Sequence, residues 1–298
     1  MLYDTWDGCY CGGKVADFLC VWNPATREYK KIPHSPNSPN AFLQGDVCIH
    51  GLSYYGKNED YKFVIGACSD KSGLTTLVEV FSVRSNSWKT IETPYRFTYD
   101  EQKSGVLING DLHWLAKTEH GVCIVYLDSS SDFPSFKEIQ LPRIPNLEFV
   151  SVGVLEEGRL CVVVDNGGHV GLGRVEVWEL KVYGVPESWT KRHVISNETI
   201  TQAVVNKTFA FKSSVMKIIW SFKNGNIVFL CSDDVVLYDP KHGTAIERNL
   251  ERFAAFDSEV NYVESLVSIH TLKWGTELLE ESTEDESTED ELTEDEST

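Results

Sequence analysis

Histidine and cysteine, eight of each, are the residues of this chain best suited to acid–base, nucleophilic or metal chemistry. The histidines stand at positions 34, 50, 113, 120, 169, 193, 242 and 270. None has a cysteine, serine or carboxylate at a spacing that marks an activated nucleophile. His113 lies in the alternating run DLHWL and reads as a strand residue. No G-x-S-x-G, H-E-x-x-H or P-loop pattern is present. Gly167-Gly168 lacks the strand-then-helix context of a phosphate loop. Cys9-Tyr10-Cys11 has C-x-C spacing, but a tetrahedral zinc site wants four ligands and no second pair lies nearby. The other cysteines, Cys20, Cys48, Cys68, Cys123, Cys161 and Cys231, sit inside apolar runs, as reduced core residues do. The reading is therefore no catalytic, cofactor-binding or metal set, no cofactor, and a cytoplasmic or nuclear setting. Asn197-Glu198-Thr199 and Asn206-Lys207-Thr208 match the glycosylation pattern, which is read as chance because no signal segment opens the chain. Apolar runs stay under ten residues, too short for a membrane-crossing helix.

Those residues are set in a repeating strand pattern. Val21–Pro33 (VWNPATREYKKIP) reads as strand, Asn-Pro turn, strand and stop, since Asn bonds its own backbone and Pro presets φ. The plan recurs in four further units, roughly Val47–Pro94, Gly105–Pro142, Phe149–Ile195 and Lys217–Leu250. Asn109-Gly110, Glu157-Gly158 and Asn224-Gly225 mark hairpins between alternating runs, and Asp239-Pro240 restores the opening turn. The outgoing strands carry Tyr29, Trp88, Phe136, Trp189 and Ile246, at separations of 59, 48, 53 and 57. Four short strands at this period predict an all-β, kelch-like β-propeller of about five blades, with six as the alternative. A β-sandwich fits five hairpin-containing units less well. Trp88 and Trp189 recur in phase, which predicts packing between blades and not a binding platform. The first blade is expected to be incomplete, with residues 1–14 irregular, and to be closed by the C-terminal strand Val260–Ile269.

Loops vary between blades and carry binding in such folds. Five are candidates, unranked: His34–Asn40, Asp70–Gly73, Ser129–Pro134, Asp165–Gly173 and Tyr183–Pro186.

The formal charge of −18 is unevenly placed. Residues 277–298 hold 12 acids and no base, leaving 33 acids against 27 bases in the rest. Neither part offers the basic surface that nucleic acid requires. The propeller is assigned to 15–275, and 276–298 to a disordered acidic tail, because its E-[SL]-T-E-D repeats have almost nothing to bury. Ser282, Thr283, Ser287, Thr288 and Thr293 each have an acid three residues downstream, a pattern for an acid-directed kinase.

The opening segment VWNPATREYKKIP resembles the L-W-N-P-x-T…L-P segment of plant F-box-associated domains, the kelch-like half of many plant F-box proteins. The likeness continues in order through YKFVIG (61–66), VEVFSVRSNSWKTIE (78–92), VLINGDLHWLA (106–116), EVWELKVYGVPESWTK (176–191), VVLYDPK (235–241) and YVESLV (262–267). Within that family the chain is similar to the S-locus F-box group, which recognises pollen-rejecting ribonucleases in self-incompatibility. The resemblance implies a protein-binding module that selects a substrate for a cullin-RING ubiquitin ligase, with no active site of its own. The family's N-terminal F-box, which docks the ligase adaptor, and its first upstream strand have no match here, so adaptor binding is expected only with an F-box restored. The other classes are a propeller enzyme acting on a small molecule or glycan in the central channel, and an uncoupled interaction scaffold.

Overall fold

Short runs of β-branched and aromatic residues, broken by Asx and glycine turns, give nineteen strands among the described residues, in five antiparallel sheets. The computed structural model describes residues 2–4, 19–37, 47–55, 59–68, 76–97, 103–128, 134–144, 148–165, 173–203, 216–231 and 234–248. The first sheet comprises β1 (Leu2–Asp4), β2 (Leu19–Asn23) and β3 (Glu28–Ile32). The second holds β4 (Val47–Tyr55), β5 (Asp60–Cys68), β6 (Thr76–Ser82) and β7 (Ser87–Thr93). The third holds β8 (Val106–Ile108), β9 (Asp111–Thr118), β10 (Gly121–Asp128) and β11 (Ser135–Ile139). The fourth holds β12 (Glu148–Leu155), β13 (Arg159–Asp165), β14 (Arg174–Leu180) and β15 (Trp189–Ser196). The fifth holds β16 (Met216–Ser221), β17 (Ile227–Cys231), β18 (Asp234–Asp239) and β19 (Thr244–Arg248).

In every sheet the strands pair in chain order, and each sheet packs face to face on the next. Four apolar clusters lie at the successive seams. Val21 and Ile32 meet Val47, Phe63 and Phe81 between the first two sheets. Val64 and Val80 meet Leu112, Trp114 and Val125 at the second seam. Ile124 and Ile139 meet Val152, Val162 and Trp189 at the third, and Val163 and Val177 meet Ile218, Phe229 and Val236 at the fourth. Consecutive four-stranded sheets joined through shared cores are propeller blades, as the period predicts. Middle strands are covered on both faces: in β13, Leu160 through Val164 are all buried.

The turns follow the local chemistry. Asn23 Oδ1 accepts the Ala25 N–H at 3.0 Å, and Asp239 Oδ1 accepts the Lys241 N–H at 2.9 Å. The residue that launches the outgoing strand is left-handed in three blades: Arg27 (φ 59°), Asn86 (φ 51°) and Gly243 (φ 64°). Asn109 and Gly110 both have positive φ, as a two-residue hairpin demands. Asn224-Gly225 closes differently. Gly225 N–H bonds Phe222 O and Phe222 N–H bonds Asn226 O, so the loop is one residue longer than a two-residue turn.

Two features depart from the sequence expectation. Leu2–Asp4 is not irregular but pairs with β2, Leu2 opposite Val21 and Asp4 opposite Leu19, giving the first blade a third strand. The glycines at 8, 12 and 13 hid a strand only three residues long. A helix, α1 (Asn197–Ala203), follows β15. Its start was signalled by Ser196, whose Oγ accepts the Thr199 N–H at 3.1 Å. The expected closing strand Val260–Ile269 and the expected disordered tail lie outside the described residues.

Candidate functional site

Alternating strand direction sorts the candidate loops onto two ends of the propeller. The strand ends flanking 34–40, 70–73 and 165–173 share one end, and those flanking 129–134 and 183–186 the other. Asp70–Gly73 falls outside the described residues, as do 38–40, 129–133 and 166–172, which leaves His34–Asn37, Pro134, Asp165, Gly173 and Tyr183–Pro186 to be placed.

Tyr183–Pro186 is built as a stiff apolar turn. Its local scaffold is Ser188, whose Oγ accepts the Val182 N–H at 2.9 Å and donates to Val185 O at 2.7 Å. The Val185 N–H also bonds Val182 O at 3.0 Å. A second anchor comes from blade three. His113 Nδ1 faces two carbonyls, Asp111 O at 3.0 Å and Val106 O at 3.3 Å, which can only accept. Nδ1 therefore carries the proton, and Nε2 accepts the Tyr183 hydroxyl at 2.7 Å. The imidazole stacks on Tyr126 with centroids 5.2 Å apart. Burial lowers its pKa to about 4 against the two carbonyl bonds, so it is neutral at ordinary pH. Burial likewise pushes the Tyr183 phenol up, keeping it a donor. The latch presents Val182, 55% exposed, and Val185, 40%, to solvent between the exposed Lys181 and Glu187. A turn held at both ends has little conformational freedom left to lose on contact with another molecule.

His34–Asn37, at the other end, is fastened down. Buried Ser35 donates to Glu79 Oε2, and Asn37 Nδ2 reaches Glu79 Oε1 at 3.0 Å and Thr90 Oγ1 at 2.8 Å. Trp88 and Trp189 tie blades together, as their phase implies. The Trp88 indole donates to Pro33 O at 3.0 Å, and Trp189 to Gln140 O at 2.9 Å, each reaching the segment that leaves the preceding blade. Phe136 does the same work by packing, on Tyr95 and Phe97. Tyr29 and Ile246, at the corresponding positions of blades one and five, are exposed.

Sequence reasoning missed four buried carboxylates: Asp60, which accepts from Ser82 Oγ at 2.6 Å and the Arg84 N–H at 2.8 Å, and Glu79, Glu176 and Glu179. Glu79 and Glu176 alternate with valines in VEVFS and VEVWEL, which reads as a solvent face until neighbouring blades cover both faces, whereas Glu179 shares the face of Val175 and Val177. Glu176 accepts from Trp178 Nε1 at 2.9 Å and Lys191 Nζ at 2.8 Å. Among the described residues no three His, Cys, Asp or Glu converge to hold a metal ion. Buried thiols are pushed upward, Cys123 and Cys231 to about 12, mainly by desolvation, which makes them poor nucleophiles.

The five sheets and the four apolar seams between them define a β-propeller. The chain belongs to the F-box associated beta propeller domain family, which it matches over residues 7–269. It is 28% identical over 209 residues to the F-box protein At4g22390 of Arabidopsis thaliana, covering 62% of this chain and 50% of that protein. It is 24% identical over 298 residues to F-box protein At3g07870, covering 89% and 68%, and 26% identical over 238 residues to F-box protein CPR1, covering 71% and 56%, both from the same plant. The chain thus spans roughly half to two-thirds of these relatives' lengths. Among solved structures, a chain described as the Dos1 propeller aligns over 81% of this chain and 54% of its own at a TM-score of 0.41 and 13% identity. The propeller assignment rests on the sheets and seams themselves.

Proposed function

We propose that this chain is the substrate-recognition module of an SCF-type cullin-RING ubiquitin ligase, binding a protein target and carrying no active site of its own. The observation that carries this reading is the family match over residues 7–269, together with the similarity to longer proteins named as F-box proteins. The rigid turn bearing Val182 and Val185 supplies a protein-contact surface of the kind that role needs. The narrower S-locus reading adds a basic ribonuclease target, which the mildly acidic body, 33 acids against 27 bases, would steer inward.

The test is co-purification with the ligase adaptor and cullin, using this chain alone and fused to the F-box of a relative. Adaptor capture is expected only with the F-box restored. Capture by the chain alone would overturn the view that coupling lies in that segment, and no capture by the fusion would count against the ligase role. The remaining assignments are tested separately. Acid-directed phosphorylation at Ser282, Thr283, Ser287, Thr288 and Thr293 predicts phosphopeptides from the tail in mass spectrometry. The reduced, buried cysteines Cys20, Cys48, Cys123, Cys161 and Cys231 fit a cytoplasmic or nuclear location, to be read from a fluorescent fusion.

A further inference from the structure

Glu179, on β14, is 1% exposed and turns its carboxylate toward the seam between blades four and five. Oε1 accepts a hydrogen bond from Arg159 Nη1. Oε2 is buried and accepts none. Arg192 Nε stands 3.8 Å from it, an ion-pair distance too long for a hydrogen bond, and Nη2 of the same guanidinium stands 3.8 Å from Glu156 Oε1. These four charged groups, with His193 and Ser221, line a shallow recess with room for about one water molecule beyond the space that Arg192 itself fills. It opens at the end of the propeller that carries the Tyr183 turn, because the β12–β13 and β16–β17 hairpins form its rim.

A buried carboxylate oxygen without a donor is complemented only by a group that brings one. Two carboxylates and two guanidinium groups leave the recess neutral, and His193 adds no charge at neutral pH, since burial and then Arg192 hold its imidazole below the usual range. A further cation simply added would meet Arg159 and Arg192. Exchange avoids that. Arg192 is 40% exposed, is tethered to β15, and reaches both carboxylates only at 3.8 Å. An untethered guanidinium could hydrogen-bond both while Arg192 turns into water, leaving the net charge unchanged.

We propose that this recess is a recognition site for the guanidinium of an arginine side chain on a protein partner, seated between Glu179 and Glu156 in exchange for Arg192. The inference rests on the protein-recognition reading only in taking the arginine from a protein, and its test uses no ligase component.

The whole chain is titrated by calorimetry with N-acetyl-arginine methylamide, with its citrulline counterpart as an uncharged isostere, and with free arginine. The arginine amide is expected to bind saturably and the citrulline compound at least about tenfold more weakly, the difference expected for a charge-assisted pair. Arg192→Ala removes the competitor and should tighten binding about tenfold. Glu179→Gln should abolish it. Because that variant leaves Arg159 without its carboxylate and could unfold, Glu156→Gln, at a less buried position, is the second check and should weaken binding several-fold. Equal affinity for the arginine and citrulline amides, or no saturable binding by either wild type or Arg192→Ala, overturns the site. Free arginine binding more tightly than the amide overturns the protein origin of the group.

Discussion

At the residue scale, His113 shows how burial sets a protonation state and the protonation state sets a loop. Tyr126 stacks on the ring, Tyr183 donates to Nε2, and the Asp111 and Val106 carbonyls accept from the Nδ1–H. A second proton would displace the Tyr183 hydroxyl bond. In the folded protein the pKa lies at about 4, against 6.5 when the residue is free. The unfolded chain therefore takes up the proton first as pH falls, and stability drops between about pH 6.5 and pH 4. The full effect is about 3 kcal/mol for this residue. His50 acts in the same direction, lowered to about 4 by burial and then by Lys103 and Lys217. Urea unfolding at pH 7.5 and pH 4.5 checks this. His113→Gln, which keeps an acceptor but cannot titrate, should flatten part of the slope; an unchanged slope would mean that His113 is not the titrating group.

At the element scale, the outgoing strands of blades two, three and four are secured to the blade before them through Trp88, Phe136 and Trp189. Trp189 is the clearest case, buried among Leu160, Leu180 and Ile139 with its indole on Gln140 O. Trp189→Phe keeps most of the apolar contact and orphans that carbonyl, so about 1 kcal/mol of stability should be lost. Trp189→Ala also opens a cavity and should cost about 3–5 kcal/mol. Denaturant midpoints separate the two, and similar losses would mean that the hydrogen bond, not the packing, holds the seam. Much of this scale was legible beforehand. Asn-Pro, Asn-Gly and Asp-Pro encode turns through their own side chains, so strand order and hairpin positions could be read directly. The Leu2–Asp4 strand could not, because three residues carry too little alternation to stand out. Nor could α1, whose Ser196 cap was the one available signal.

At the scale of the whole molecule, no blade owns a core. Each apolar cluster is shared by two neighbours, so loss of one blade exposes half of two cores. Unfolding should be cooperative across the blades. Trp22, Trp88, Trp114, Trp178, Trp189 and Trp220 distribute fluorescent reporters over all five sheets. Their urea transition should coincide with the loss of sheet signal in far-ultraviolet circular dichroism. Two resolved transitions would show that part of the propeller folds on its own.

The local repeat was set by the sequence alone: a period near fifty residues, four strands in the complete units, turns of a stated kind, and an acidic end unlike the rest. These depend on neighbours in the chain, and turn chemistry and alternation report neighbours faithfully. The site was decided by tertiary structure. Tyr183 meets His113 across seventy positions, and Glu179 Oε2 is left without a donor because the neighbouring blade covers its face of β14. A propeller buries both faces of its middle strands, so a charge in VEVWEL becomes either a latch or an unfilled acceptor. Which one it becomes depends on the side chains that the next blade brings to the seam.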